Sequence, residues 1–269
     1  MIADLGFLSS EAEESEKQII RAYTDLFQLS GQLSKLFISL LRKAGLDRTS
    51  IKNLTINALA AKSLELFQSS IILLRKGCVP AANITCRALI ETVYKLCAIQ
   101  LANGGIDLYI HQEKLTRLQK LRSIQKYKQK HPGSGIAPGI NTEIDALSKE
   151  KSKKTGPYEW ASLAKMEDFH NLYYQGMSDD THANIESLNH YFDQNSAYIL
   201  SFGPSDEGLA LAVVVSHRIL INAIEKFALF QNANIASELA QLSGENDVLE
   251  GKYGNGESGD WKTIMGKTP

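Results

Sequence analysis

Apolar residues recur along this chain at steps of three and four, the spacing that places them on one face of an α-helix. Ile19, Tyr23, Leu26, Leu33, Phe37, Leu40 and Leu41 keep that phase and predict one long amphipathic helix. Ser10 and Glu13 supply a capping box at its start, and Gly45 ends it. A second stripe (Leu54, Ala58, Ala61, Leu64, Phe67, Ile71, Leu74) predicts a helix from about Ser50 to Lys76. Pro80 to Ala102 is apolar nearly all round and reads as a core helix. Further helical phases run over Ile106 to Lys130, Thr142 to Lys149, Trp160 to Gly176, Thr181 to Phe192 and Ser205 to Gln231, with a short piece at Ile235 to Leu242. No strand pattern of any length interrupts them. The expected fold is all-α, a bundle of about seven or eight helices with a long N-terminal helix. Residues 1–242 form its single domain, and 243–269, rich in Gly and polar residues, read as a disordered tail.

The core helix carries one discordant feature. Its face at Asn83, Arg87, Glu91 and Tyr94 is polar, and Arg87 and Glu91 stand one turn apart. Cation before anion is the poorer order for supporting an isolated helix, so helix stabilisation is a weak reason for the pair. Two readings stand. The pair ties two helices together as a structural ion pair, or it is a polar site in which Glu91 holds Arg87 toward a cleft.

Composition narrows the classes. The chain has 269 residues, 43% of them hydrophobic, enough for a sizeable core, and a net charge of −1 gives no global attraction to nucleic acid. The distribution is uneven. Residues 111–154 hold nine Lys and two Arg against four acids, a net +7 that leaves −8 for the rest. The basic face of the Ile106 to Lys130 helix includes Arg117, Lys120, Arg122, Lys126, Lys128 and Lys130. A solvated face is the common explanation for such a run. The functional one is a phosphate-tracking surface in which Arg117 and Lys120 touch substrate and Tyr109 and Tyr127 stack on bases. Cys78, Cys86 and Cys97 fit core packing in a reducing compartment rather than a disulfide framework. No apolar run is long enough to cross a bilayer and the first residues carry no secretory pattern, so a cytoplasmic protein is expected.

Phosphate-loop, HExxH, paired CxxC and GxSxG patterns are absent, and no cofactor or metal is expected. Among six histidines, His182 is distinguished by its place in a first helical turn, after Ser178, Asp179 and Asp180. There the helix dipole favours the neutral imidazole, which suits proton transfer. The alternative is that Ser178 and Asp180 only cap the helix.

Two segments carry a resemblance. A-x5-RALIE-x2-YKL (Ala81 to Leu96) and W-x12-YY-x3-S-x3-H (Trp160 to His182) resemble an uncharacterised bacterial all-helical family with an Arg-x3-Glu helix and a later Ser-x3-His segment. That family is similar to the HEPN group of helical bundles, many of which are dimeric, metal-independent ribonucleases of toxin–antitoxin and phage-defence systems. The resemblance implies RNA cleavage or RNA binding, with His182 as acid or base, Arg87 as the phosphate cation and Glu91 as its orienter. Tyr94 and Ser178 would complete the pocket. Ser178 stands where the HEPN signature has an Arg, so the cation falls to Arg87. The partners implied are RNA, a second copy of the chain, and a cognate antitoxin or defence protein, with no membrane. The rival readings are a non-enzymatic module binding a small anion or nucleotide in the same pocket, and a dimerising antitoxin-like partner.

Overall fold

The computed structural model describes residues 6–131, 133, 139–149, 154–179, 188, 191 and 203–254. These residues are helical with no strand among them, as the periodicity predicts.

The chain breaks into more pieces than the pattern suggests. The expected long first helix is two, α1 (Ser10–Ala22) and α2 (Thr24–Lys43). The break has a local and a tertiary cause. The Thr24 hydroxyl bonds the Ile20 and Arg21 carbonyls at 2.8 and 3.0 Å, a back-bond that bends helices. Tyr23 leaves helical geometry at φ −116°, ψ 33° while its hydroxyl donates to Asp206, 3.0 Å away. Ser9, not Ser10, caps α1 by accepting the Ala12 N–H at 3.2 Å.

α3 (Ile51–Arg75) and α4 (Val79–Leu101) form the central antiparallel hairpin. Gly77 makes its turn possible. Gly77 N–H bonds the Leu74 carbonyl and Cys78 N–H bonds the Leu73 carbonyl, a Schellman ending with Gly77 in the left-handed region at φ +69°. A Cβ there would also stand 2.8 Å from the Ser205 backbone nitrogen, so the position needs glycine twice over.

α4 is the hub. Leu89, Ile90, Val93, Tyr94, Leu96 and Cys97 are completely buried, so the helix is covered on nearly every side. On one flank it packs against α3 and α10 (Leu209–Phe230), and α2 runs along both of those partners. α11 (Ala236–Gly254) lies across α10 and α2. The sequence reading ends this last helix near Leu242; the structure carries it twelve residues further, docked by Asn246, Leu249 and Tyr253. On the other flank α4 meets α7 (Pro157–Leu163) and α9 (Gln175–Asp179). Each large apolar side chain buried in this packing contributes about 1.5–3 kcal/mol. The thiols of Cys86 and Cys97 are part of it, and burial pushes both up to about 12.

Two helices stand apart. α5 (Gly105–Lys130) packs on α4 and on α6 (Ile140–Leu147), and only Gly105, Gln112 and Leu118 of its residues are buried. No helix among the described residues is long and apolar enough to cross a membrane.

Candidate functional site

The segment after α7 is built irregularly. Lys165 sits in the left-handed region at φ 57°, and its N–H and that of Met166 close a second Schellman ending onto Ser162 and Ala161. One turn, α8 (Glu167–Phe169), leads into a stretch of π-helix, His170–Tyr174, and then α9. A π turn is uncommon and concentrates at functional sites, because the extra residue re-aims side chains that an α-helix would stagger. Here it presents His170 and Tyr174 to the polar face of α4.

Tyr174 joins the two α4 charges. Arg87 Nε donates to the Tyr174 hydroxyl at 3.0 Å, and that hydroxyl donates to Glu91 Oε1 at 2.6 Å. Arg87 and Glu91 approach each other at 3.4 Å, and the guanidinium carbon lies 5.2 Å from the Tyr174 ring centre. The side chains of Arg87 and Glu91 keep 20% and 35% of their surface exposed, so the pair lines a half-open face instead of being sealed in the core. The two terminal nitrogens of Arg87 have no hydrogen-bond partner among the described residues.

Beneath this open layer lies an aromatic one. The His170 ring stacks on Tyr174 at 4.5 Å and 18°, with Tyr94 5.9 Å away. Tyr158, half exposed at the start of α7, meets His170 edge-on at 5.4 Å. Two buried polar atoms of this layer, the Tyr94 hydroxyl and His170 Nδ1, have no hydrogen-bond partner among the described residues. Such atoms are costly, about 1–3 kcal/mol each, and they recur where a ligand or water is bound. Burial lowers the His170 pKa, opposed by Glu91, and so favours the neutral ring. Burial and the bond to Glu91 push the Tyr174 phenol up to about 12, keeping its proton in place at neutral pH.

Of the residues singled out in the sequence, Arg87 and Glu91 lie in one network and Tyr94 lies directly behind it. Ser178 is one turn past Tyr174, its hydroxyl donating to the Tyr174 carbonyl at 2.8 Å. His182 lies outside the described residues. Arg117 and Lys120 belong to α5, where Arg117 is ion-paired with Glu143 of α6 and Lys120 is exposed. Sequence reasoning missed Tyr174, His170 and Tyr158. A signal existed: His170, Tyr174 and Ser178 recur at steps of four, the step that separates Arg87 from Glu91. Among the described residues no three His, Cys, Asp or Glu side chains converge on a metal position.

Residues 53–199, more than half of the chain, match the DUF5677 family, a family of unknown function. The chain belongs to that family. The DUF5677 segment runs from α3 through α9 and holds every member of the network above, whereas α10 and α11 lie beyond it. No curated protein and no solved structure matches the chain.

Proposed function

We propose that this DUF5677 protein is a HEPN-like, RNA-directed protein that cleaves a phosphodiester at the Arg87–Tyr174–Glu91 site. The observation that carries the reading is the Tyr174 hydroxyl held between a cation at 3.0 Å and a carboxylate at 2.6 Å on a half-open face. Arg87, anchored through Nε, has two terminal nitrogens to offer non-bridging phosphate oxygens, where charge grows during the reaction. Glu91 takes the proton of the ribose 2′-hydroxyl as the 2′-oxygen attacks phosphorus. The bond from phosphorus to the 5′-oxygen breaks, and the Tyr174 hydroxyl protonates the leaving oxygen. Glu91 then returns its proton to Tyr174 through their hydrogen bond. The products are a 2′,3′-cyclic phosphate and a 5′-hydroxyl, and no metal enters the scheme. A stress or phage-defence setting follows from the HEPN resemblance.

A second reading, binding of a small anion or nucleotide without chemistry, is favoured by one observation. The buried Tyr94 hydroxyl and His170 Nδ1 lack hydrogen-bond partners among the described residues, as polar atoms do where a ligand is bound. One experiment separates the two. A single-stranded oligoribonucleotide is incubated with the protein in EDTA, and its ends are analysed. Cleavage to cyclic-phosphate ends, reduced on the order of 100-fold or more in Tyr174→Phe, supports the first reading. Nucleotide binding that needs Arg87, without cleavage, supports the second. Neither outcome would leave the network as packing.

A further inference from the structure

We infer that the α5–α6 arm is a surface that tracks the backbone of single-stranded RNA leading into the Arg87–Tyr174 site. The inference rests on the RNA reading above but on different residues. At 26 residues α5 is about 39 Å long, and beyond Leu118 none of its residues is buried. A solvated basic helix is common, so the argument turns on how these charges are arranged and satisfied.

Lys120, Lys126, Lys128 and Lys130 are exposed and have no acidic partner among the described residues, whereas Arg117 is matched by Glu143. At 100° per residue, Lys120, Tyr127 and Lys130 fall within about a quarter of the helix circumference and Lys126 lies beside them. This face is opposite Leu118, Leu121 and Gln125, where α6 packs through the Gln125–Asn141 bond of 2.9 Å. Tyr127 is 55% exposed, with its ring 4.4 Å from that of His131. Cations spaced along about 15 Å of helix around an open aromatic ring match a polyanion with stackable bases. An acidic protein surface could meet the cations, but it offers no run of bases to stack on the ring.

The arm is also joined to the site. Buried Gln112, at its root, accepts the Thr155 N–H through Oε1 at 2.9 Å. Thr155 leads into Gly156, whose N–H is held by Glu159, and so into α7 with Tyr158. The root of the arm is therefore tied to the segment that carries the ring meeting His170.

The test compares the full chain with a variant carrying Lys120→Glu, Lys126→Glu and Lys130→Glu, all exposed, with melting curves confirming that both fold. Fluorescence anisotropy with a labelled 20-nucleotide oligouridine is read across a salt series. The variant should bind at least tenfold more weakly, with the slope of log affinity against log salt reduced by about 2, about 0.7 for each of three phosphates. Tyr127→Ala should weaken binding and leave the slope unchanged. Cleavage of a dinucleotide, which has a single phosphodiester for the site, should be the same in variant and wild type. Unchanged 20-mer binding and slope in the triple variant would overturn the inference, as would binding of anionic vesicles in preference to RNA. A wild type that binds the 20-mer through these lysines but cuts no dinucleotide would leave the arm standing and remove the catalytic reading instead.

Discussion

The Tyr174 hydroxyl can be removed without disturbing its ring, which makes it the most informative single atom in the molecule. In Tyr174→Phe the stack with His170 survives, and Arg87 and Glu91 can close their 3.4 Å gap in partial solvent. Two hydrogen bonds are lost, worth about 1–2 kcal/mol together, and urea denaturation should show a loss of that size. A loss above about 4 kcal/mol would mark the hydroxyl as a structural keystone. His217 makes a different kind of claim. It is buried in α10 between the Ser30 hydroxyl, 2.7 Å from Nε2, and Asn246 Oδ1, 2.9 Å from Nδ1. Burial drives its pKa down from 6.5 to about 4, partly opposed by Asn246. The folded state therefore binds this proton less readily than the unfolded state. Its contribution to stability is full above pH 6.5, shrinks as the pH falls and is gone below about 4. The loss over that window is about 3 kcal/mol, at 1.36 kcal/mol per pH unit. Denaturant titrations at pH 7.5, 5.5 and 4.5 should follow that course, and His217→Gln should remove most of the slope. Equal slopes in both proteins would assign the pH dependence elsewhere. At this scale the sequence revealed Arg87 and Glu91, because charge on an otherwise apolar helix is conspicuous. Tyr174 and His170 stayed hidden, because an aromatic at helical spacing looks the same whether it fills a core or faces an arginine.

Elements show where periodicity stops being informative. The hairpin of α3 and α4 was legible because Gly77 and Pro80 punctuate a continuous phase, and α10 because its apolar run is long. The break at Tyr23 was not, since it depends on a bond to Asp206, 183 residues away. The division of the expected Trp160 to Gly176 helix into α7, α8, the π turn and α9 was not legible either. Its first break falls at Lys165, a residue that does not announce a left-handed conformation. A lysine there is strained relative to glycine by about 1 kcal/mol. Lys165→Gly should therefore raise stability by several tenths to about 1 kcal/mol in thermal or urea unfolding. A destabilised variant would show that the Lys165 side chain contributes more than its backbone costs. The substitution leaves Arg87, Glu91 and Tyr174 untouched, so the RNA cleavage proposed for them should be unchanged.

At the scale of the molecule, α11 closes the bundle and reaches the site. The sequence reading put residues 243–269 in a tail because Gly244, Glu245, Asn246 and Asp247 are polar and the apolar phase is faint. What holds 243–254 is polar instead. Asn246 meets His217, Arg218 Nε donates to Glu250 at 2.7 Å, and Asp25 accepts from Lys252 and Tyr253 at 2.6 and 2.8 Å. Glu250 also accepts from Tyr173 at 3.2 Å, the residue next to Tyr174 in the π turn. A chain ending at Ser243 loses all of these together with the buried Leu249. It also leaves the His217 Nδ1 donor inside the protein without its acceptor. An unsatisfied buried group costs about 1–3 kcal/mol and a lost leucine about 2 kcal/mol. The sum, on the order of 5 kcal/mol, is a large part of the 5–15 kcal/mol that holds a domain together. We expect this truncation to lower the melting temperature sharply, whereas a chain ending at Gly254 keeps every contact described and serves as the reference. Glu250→Gln isolates the link to the site: it should fold, loosen Tyr173 and weaken the proposed RNA binding while Tyr174 itself is intact. A Ser243-terminated chain that melts with the reference would show that α11 only rests on the bundle, and the connection from α10 through Glu250 to the π turn would fall with it.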